Sequence, residues 1–456
     1  MSNITIIDAG CGKGKTEYII RFMNAHQERP YIYISPLKEM YARLDGKGEY
    51  AGRGTAQPFI EPTPNNVEGR RLQHIKELMK VGENIKSTHS LFLSFDQEAT
   101  EIASAADYHL VIDEDLNAVT VLSDNGITGV DEDCSFDELE RQFKRGDLPF
   151  LLKNGLITID EGNYNRVNWV EHSGCEDHKF SGIKQIIETG SVSYINGSFI
   201  VWHFPVNVLQ AFDDITVLTY RFRNSILRAY LDFYDLSYCH KTVVQDGNDF
   251  YLDVFNPSIE SGAEYARLIH IFDEPKLNTI GIKMRGAKHN PQSSTWYKSV
   301  TKNSPEQLRS LKNHLTNYLR HKMNATPSDV MWTTFKKYQP KLNPPSFTQW
   351  DVFDENGNKR TEKTFVSCNC RATEKYADRH VTAYLVNKYL HPGIKNFFNL
   401  KGITIDEDEY ALSELLQWLF RSAIRRGEEI SLYMPCERMR RLLKRWLEEE
   451  RLAQAS

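Results

Sequence analysis

Seven cysteines in 456 residues are too few and too irregularly spaced for a disulfide framework, and their odd number leaves a thiol over. Reduced thiols and a cytoplasmic setting are the expectation. The two tight groups, Cys368-Asn-Cys370 and Cys175-Glu-Asp-His178, each lack a second ligand pair at zinc spacing, so no structural metal is expected. No apolar run approaches the ~18 residues of a membrane span. Met1–Ile7 has no positive charge ahead of its short apolar run, so neither export nor a membrane partner is expected. No charge sign dominates either. Lys+Arg is 56 against 61 for Asp+Glu, net −5, which excludes wholesale basic coating of nucleic acid. Local basic strips stay available, because fields are local. Internal repeats and low-complexity tracts are absent. What remains is an ordinary globular composition, long enough for two large domains or roughly three average ones.

The apolar pattern has an α/β texture. Ile4–Ile7 is a β-branched run, followed by a Gly/Lys-rich loop and by Tyr18–Met23 with helical spacing. Tyr31–Ser35 is a second buried-strand candidate, ended by Pro36. Residues 46–69 read as a long loop and 70–81 as an amphipathic helix. Asn84–Phe95 is strand-like, and so is Tyr108–Ile112. Strands alternating with helices point to a parallel sheet. Beyond residue 120 the texture changes. Ser135-Phe-Asp-Glu138 is a capping box. Two hairpins are expected, one from Leu156–Asp160 and Arg166–Val170, the other from Val192–Ile195 and Ser198–Trp202 around Asn196-Gly197. This predicts a β-rich insertion over 120–205, with Ile215–Thr219 returning to the first sheet at 206–235. A second α/β unit is expected over 236–456. It has strands at Leu268–Phe272, Thr364–Cys368 and Glu429–Met434, and a strand or helix at Thr382–Tyr389. Its helices are expected at 304–323, Glu409–Arg426 and Glu437–Gln454, and residues 286–299 read as an exposed loop.

The chemistry starts after the first strand. Ala9-Gly-Cys-Gly-Lys-Gly-Lys15-Thr16 fits a phosphate-binding loop with Ala in the first Gly position. Gly10, Gly12 and Gly14 let backbone N–H groups, with Lys13, turn toward phosphate oxygens at the positive end of the next helix. Lys15 is placed to reach the β and γ phosphates, and the Thr16 hydroxyl to ligate Mg²⁺. ATP and Mg²⁺ are the cofactors this implies. Leu110-Val-Ile-Asp113-Glu114-Asp115 then delivers carboxylates at a strand's C-terminal end, where α/β sheets hold ligands. Asp113 would hold the metal and Glu114 would polarise the attacking water, a pairing suited to hydrolysis.

With these motifs the chain resembles superfamily 2 DEAD-like helicases of bacteriophage type, over most of its length. The resemblance implies two RecA-like lobes with the insertion in the first. Ile34-Ser-Pro-Leu-Lys38 looks like the family's first backbone-contacting motif and Ser87-Thr-His-Ser-Leu-Phe92 like the second. By that likeness Ser35, Pro36, Lys38, Thr88 and His89 face nucleic acid. Thr219, in Leu218-Thr-Tyr-Arg-Phe222, matches the coupling motif. Ser367-Cys-Asn-Cys-Arg-Ala-Thr373 resembles a second-lobe motif bordering ATP and nucleic acid, which adds Thr373. Gln417 to Arg426 resembles the last motif, in which Gln417 and two arginines face the γ-phosphate. Arg421 and Arg425 are four apart where the family's spacing is three, and would share one helix face, which leaves Arg421, Arg425 and Arg426 all open as the arginine finger. With the first strand expected from Ile4, the adenine-reading segment of DEAD-box RNA helicases is not expected, so the resemblance is not to that subfamily.

The resemblance implies a nucleic-acid-stimulated ATP hydrolase, a helicase or translocase, acting on single-stranded or forked nucleic acid, DNA favoured. It also implies replication or recombination of a phage genome, with replication proteins as partners. Two other classes share the ATP site. A DNA-packaging motor should carry nuclease carboxylates on strand ends, and the C-terminal half offers only Asp406–Glu409. A nucleotide-gated binding protein would need slow turnover alone. Two basic strips complete the reading. Arg438, Arg440, Arg441, Lys444 and Arg445 read either as a surface helix paired with acids or as a phosphate-contacting strip. Trp296, Tyr297, Lys298 and Lys302 offer a loop that could stack on a single strand.

Overall fold

The computed structural model describes residues 2–64, 71–122, 146–170, 180–188, 190–257, 262–353, 357–369 and 375–453. The capping box at 135–138, the Cys175–His178 group and Thr373 lie outside them. The chain divides into two α/β units, Met1–Asn256 with His391–Asp406, and Pro257–Leu390 with Glu407–Ser456.

In unit 1 the strands β1 (Asn3–Asp8), β2 (Tyr31–Ser35), β3 (Ile85–Thr88) and β4 (His109–Asp113) are short and apolar. β4 is buried at every position, as expected of a parallel strand covered on both faces. The insertion follows as β5 (Val119–Leu122), β6 (Ile157–Asp160), β7 (Arg166–Trp169), β8 (Val192–Ile195) and β9 (Phe199–His203). These pair antiparallel in the order β5-β9-β8-β7-β6. Asn196 and Gly197 both take positive φ, the geometry that joins two strands of right-handed twist through a two-residue turn. The chain returns as β10 (Asp214–Thr219), then β11 (Tyr238–Asp246) and β12 (Asp249–Val254). The main sheet runs β12-β11-β1-β10-β4-β2-β3, parallel except for β12. The C-terminal ends of six neighbouring parallel strands therefore lie along one edge.

Three boundaries move from those expected. Unit 1 continues past 235, because β11 adds to β1 in parallel and β12 folds back on it. Unit 1 also takes back residues 391–406. Their helix Pro392–Asn399 lies against the insertion, with Phe397 stacked on His203 at 5.2 Å and Gly393 close to Val121 and Phe199. Third, the strand within Asn84–Phe95 stops at Thr88, whose side chain caps a helical turn over His89–Phe92.

Unit 2 has β13 (Ile269–Phe272), β14 (Val330–Thr333), a separate hairpin β15 (Gln349–Phe353) and β16 (Lys359–Lys363), then β17 (Val381–Tyr384) and β18 (Ile430–Tyr433). The parallel order is β13-β18-β17-β14. Two buried tyrosines of its aromatic core find carbonyl partners for their hydroxyls. Tyr433 donates to the Leu277 carbonyl at 2.6 Å and Tyr318 to that of Ser431 at 2.9 Å. Thr364–Cys368 forms only an isolated bridge, Phe365 to Trp332, rather than a strand. The supposed loop at 286–299 is overturned from Ser294 on, where Ser293 caps a helix to Asn303 that buries Trp296, Tyr297 and Val300. Among the described residues no helix is long and apolar enough to cross a membrane.

Candidate nucleotide site

The loop Ala9–Gly14 joins β1 to the helix Lys15–Ala25. Gly12 and Gly14 have φ of +79° and +91°, a region that a side chain makes costly. At Gly14 a Cβ would also collide with the ring of Phe250, which β12 lays against the loop. Lys15 is folded over the loop. Its ammonium donates to the carbonyl of Ala9 and, at 3.0 Å, to that of Gly10. Thr16 sits half-buried in the helix's first turn, and Lys13 is exposed.

Two strands away, β4 ends on Asp113, which is 4% exposed and accepts a 2.6 Å hydrogen bond from the Tyr33 hydroxyl. Burial, helped by the charge of Glu114, pushes its pKa up to about 6, against the opposing pull of Tyr33, Lys15 and Arg43. A raised carboxyl has a stability consequence. From its ordinary 3.8 up to about 6, the folded chain keeps a proton that the unfolded chain has released. Stability therefore falls as pH rises through that window, by up to about 3 kcal/mol. Asp113→Asn removes that cost. The variant should melt at higher temperature than the parent at pH 8 with metal chelated, the gap closing as pH drops below the window. An equal or lower Tm at pH 8 would contradict this account.

Glu114 has a left-handed backbone, φ +67°, and its N–H donates to the Leu218 carbonyl at 2.8 Å. Such a conformation in a non-glycine residue costs about 1–3 kcal/mol and persists where neighbours over-determine it. Asp115 is buried and accepts a 2.6 Å bond from the Thr219 hydroxyl, at the end of β10. The loop after β10 is held in turn by Asp8, the last residue of β1. Its carboxylate accepts from the N–H groups of Arg221 and Phe222 at 2.8 and 2.9 Å and lies 3.1 Å from His240 Nε2. Arg221 is left-handed here. Sequence reasoning missed Tyr33, Asp8 and His240. Only the position of Asp8, just ahead of the glycines, was a signal.

Thr16 and Asp113 fit Mg²⁺. They are hard oxygen donors and few in number, which suits an ion that keeps most of its water shell. Among the described residues no cluster of three His, Cys, Asp or Glu offers another metal site.

The residues expected at nucleic acid divide. Ser35 is buried and donates to the Leu37 carbonyl, while Pro36 is half-buried. Lys38 is exposed and paired with Glu61. Thr88 is the helix cap, and His89 Nε2 bonds the carbonyl of Asp113 at 2.9 Å, tying β3's end to β4's.

Gln417, Arg421 and Arg425 belong to unit 2. Gln417 and Arg421 are buried, and Arg425 is partly exposed. The shared helix face is overturned. The helix Glu407–Leu419 ends early, Ser422 is extended, and Ala423–Arg426 is a short 3₁₀ turn. Ser422 Oγ donates to the Leu419 carbonyl at 2.6 Å, a local bond that competes with helix continuation. The stacking loop is overturned too, since Trp296 and Tyr297 are core residues. The C-terminal basic helix spends its charge internally. Arg438 pairs with Asp408, Lys444 with Asp273 and Arg445 with Glu409.

The SPbeta prophage-derived uncharacterized protein YonV of Bacillus subtilis (strain 168) is 30% identical to this chain over 462 residues, covering 99% of this chain and 100% of that protein. The chain belongs to the YonV family. The model of the YonV C-terminal Rossmann-like domain matches residues 263–447, a stretch that starts in unit 2 and crosses the returning segment of unit 1. Among solved structures, XPD_APO and XPD_Helicase are each similar at TM-score 0.46 and 11% identity, covering 97% and 100% of this YonV-family chain and 95% of theirs. A crystal structure of the helicase MrfA bound to DNA and AMPPNP is similar at TM-score 0.34 and 10% identity, over 99% of this chain and 48% of that one.

Proposed function

We propose that the chain hydrolyses ATP in unit 1 and couples hydrolysis to movement on, or separation of, single-stranded or forked nucleic acid. One observation supports this most. The phosphate-loop strand β1 and the carboxylate strand β4 flank β10, and the ends of all three are tied together through Asp8, Asp115 and Thr219. A Mg²⁺ held through Thr16 and Asp113 would neutralise phosphate charge. Lys15, at the mouth of the loop, exchanges its two carbonyl partners for β and γ phosphate oxygens. Glu114 orients water and takes its proton as the water oxygen bonds to the γ phosphorus and the bridging P–O bond breaks, releasing ADP. Movement at Glu114 is relayed by Asp115 to Thr219 and the loop that Asp8 clamps. His89 relays it to β3, whose end is expected to face nucleic acid. The relative's prophage origin agrees with work on a phage genome.

Steady-state ATP hydrolysis with and without single-stranded DNA or RNA tests the proposal. Stimulation by one polymer is expected. Hydrolysis indifferent to both would replace the motor with a gated or packaging-type ATPase.

A further inference from the structure

Unit 2 holds two basic segments, and the structure treats them differently. Four cations of the C-terminal helix, Arg438, Arg440, Lys444 and Arg445, are spent on Asp408, Asp273, Glu409 and the carbonyls of Met434 and Pro435. The other segment runs between Glu274 and Glu306 and contains no Asp or Glu at all, while carrying Lys276, Lys283, Arg285, Lys288, Lys298 and Lys302. Lys283, Arg285 and Lys288 lie on an exposed loop. Lys298 and Lys302 are one helical turn apart on the helix Ser294–Asn303, which buries Trp296, Tyr297 and Val300 and so turns these lysines outward. None of the five has an ion pair or side-chain hydrogen bond among the described residues. The segment is nonetheless anchored. Asn387, just after β17, donates its backbone N–H to the Gln292 carbonyl at 2.9 Å and its side chain to that of Pro291 at 3.0 Å.

Cations without counter-charges, on an anchored segment of a chain with net charge −5, are the complement of a regular polyanion. We infer that residues 283–302 form the surface of unit 2 that binds the phosphate backbone of single-stranded nucleic acid. The inference rests on the nucleic-acid part of the function proposed above. It replaces aromatic stacking by Trp296 and Tyr297 with charge alone, so binding here is indifferent to base sequence and steeply salt-dependent.

The test is fluorescence anisotropy of a labelled single-stranded oligodeoxythymidylate across a salt series, using the full chain. The four-fold variant Arg285→Gln, Lys288→Gln, Lys298→Gln, Lys302→Gln is compared with a control that removes four lysines of unit 1, the exposed Lys47, Lys80 and Lys153 and the half-exposed Lys184, each to Gln. The four-fold variant should lose about 3 from the slope of log affinity against log salt, bind more than tenfold more weakly, and keep the parent's hydrolysis without nucleic acid. If it fails to fold, the two pairs are tested separately, each expected to remove about half of that slope. A slope equal to the parent's, or an equal loss in the control, overturns the surface and leaves the proposed ATPase standing. ATP hydrolysis by a parent that binds no oligonucleotide also overturns it, and points to an acidic protein on this segment. Absence of hydrolysis with oligonucleotide binding intact would instead remove the proposed ATPase alone.

Discussion

Glu114→Gln is expected to cut ATP hydrolysis by about 10²–10⁴-fold while leaving ATP binding unchanged. The substitution keeps shape and volume, and Gln tolerates φ +67° about as well as Glu does. The backbone bond to the Leu218 carbonyl, 2.8 Å, is untouched by a side-chain change. What disappears is a carboxylate able to accept the water's proton. The observable is the split between two assays. Nucleotide binding should match the parent, and single-turnover hydrolysis should not. Loss of both would make Glu114 a structural support of the loop. Hydrolysis at the parent's rate would take the base role from it altogether. The variant also removes the neighbouring charge that helps hold the Asp113 carboxyl high, so that group should titrate lower.

Lys15→Ala should remove nucleotide binding itself. The ammonium is a side-chain donor to the carbonyls of both Ala9 and Gly10, at the start of the loop. Deleting one partner of a desolvated charge pair costs about 2–5 kcal/mol, so ATP affinity should fall at least ~30-fold. Thermal unfolding separates this from misfolding. Without nucleotide the variant should melt modestly below the parent, because the carbonyls of the buried residues Ala9 and Gly10 lose their donor. With ATP and Mg²⁺, the parent's melting temperature should rise and the variant's should not. A matching rise in both would move phosphate recognition away from this loop.

The site was legible in proportion to how local its physics is. Gly12, Gly14, Lys15 and Thr16 act within one turn of chain, and their spacing announces a loop between strand and helix. Asp113 and Glu114 announce themselves less strongly, as acids ending an apolar run. Tyr33 and His240 left no trace, because each meets its partner 80 or more residues away and neither belongs to a motif. The same limit explains the errors at 286–299 and 409–426. A helix with Trp296, Tyr297 and Val300 on its inner face looks like an aromatic, lysine-rich loop until something is seen to cover that face. A helix stop at Leu419 carries no Gly or Pro, only a serine whose hydroxyl bonds backward to the chain.

By itself, the sequence determined the α/β class, the antiparallel hairpins of the insertion and the glycine-rich loop between β1 and its helix, because periodicity, turn residues and glycine conformations are set over a few neighbouring residues. Only tertiary structure decided that β10 lies between β1 and β4, that Asp8 and Thr219 join their ends, and that residues 391–406 return to unit 1. It also decided which of the two basic segments is spent on its own unit's acids. Those outcomes depend on strand order and on partners far apart in the chain, where pairing is chosen by packing rather than by local preference.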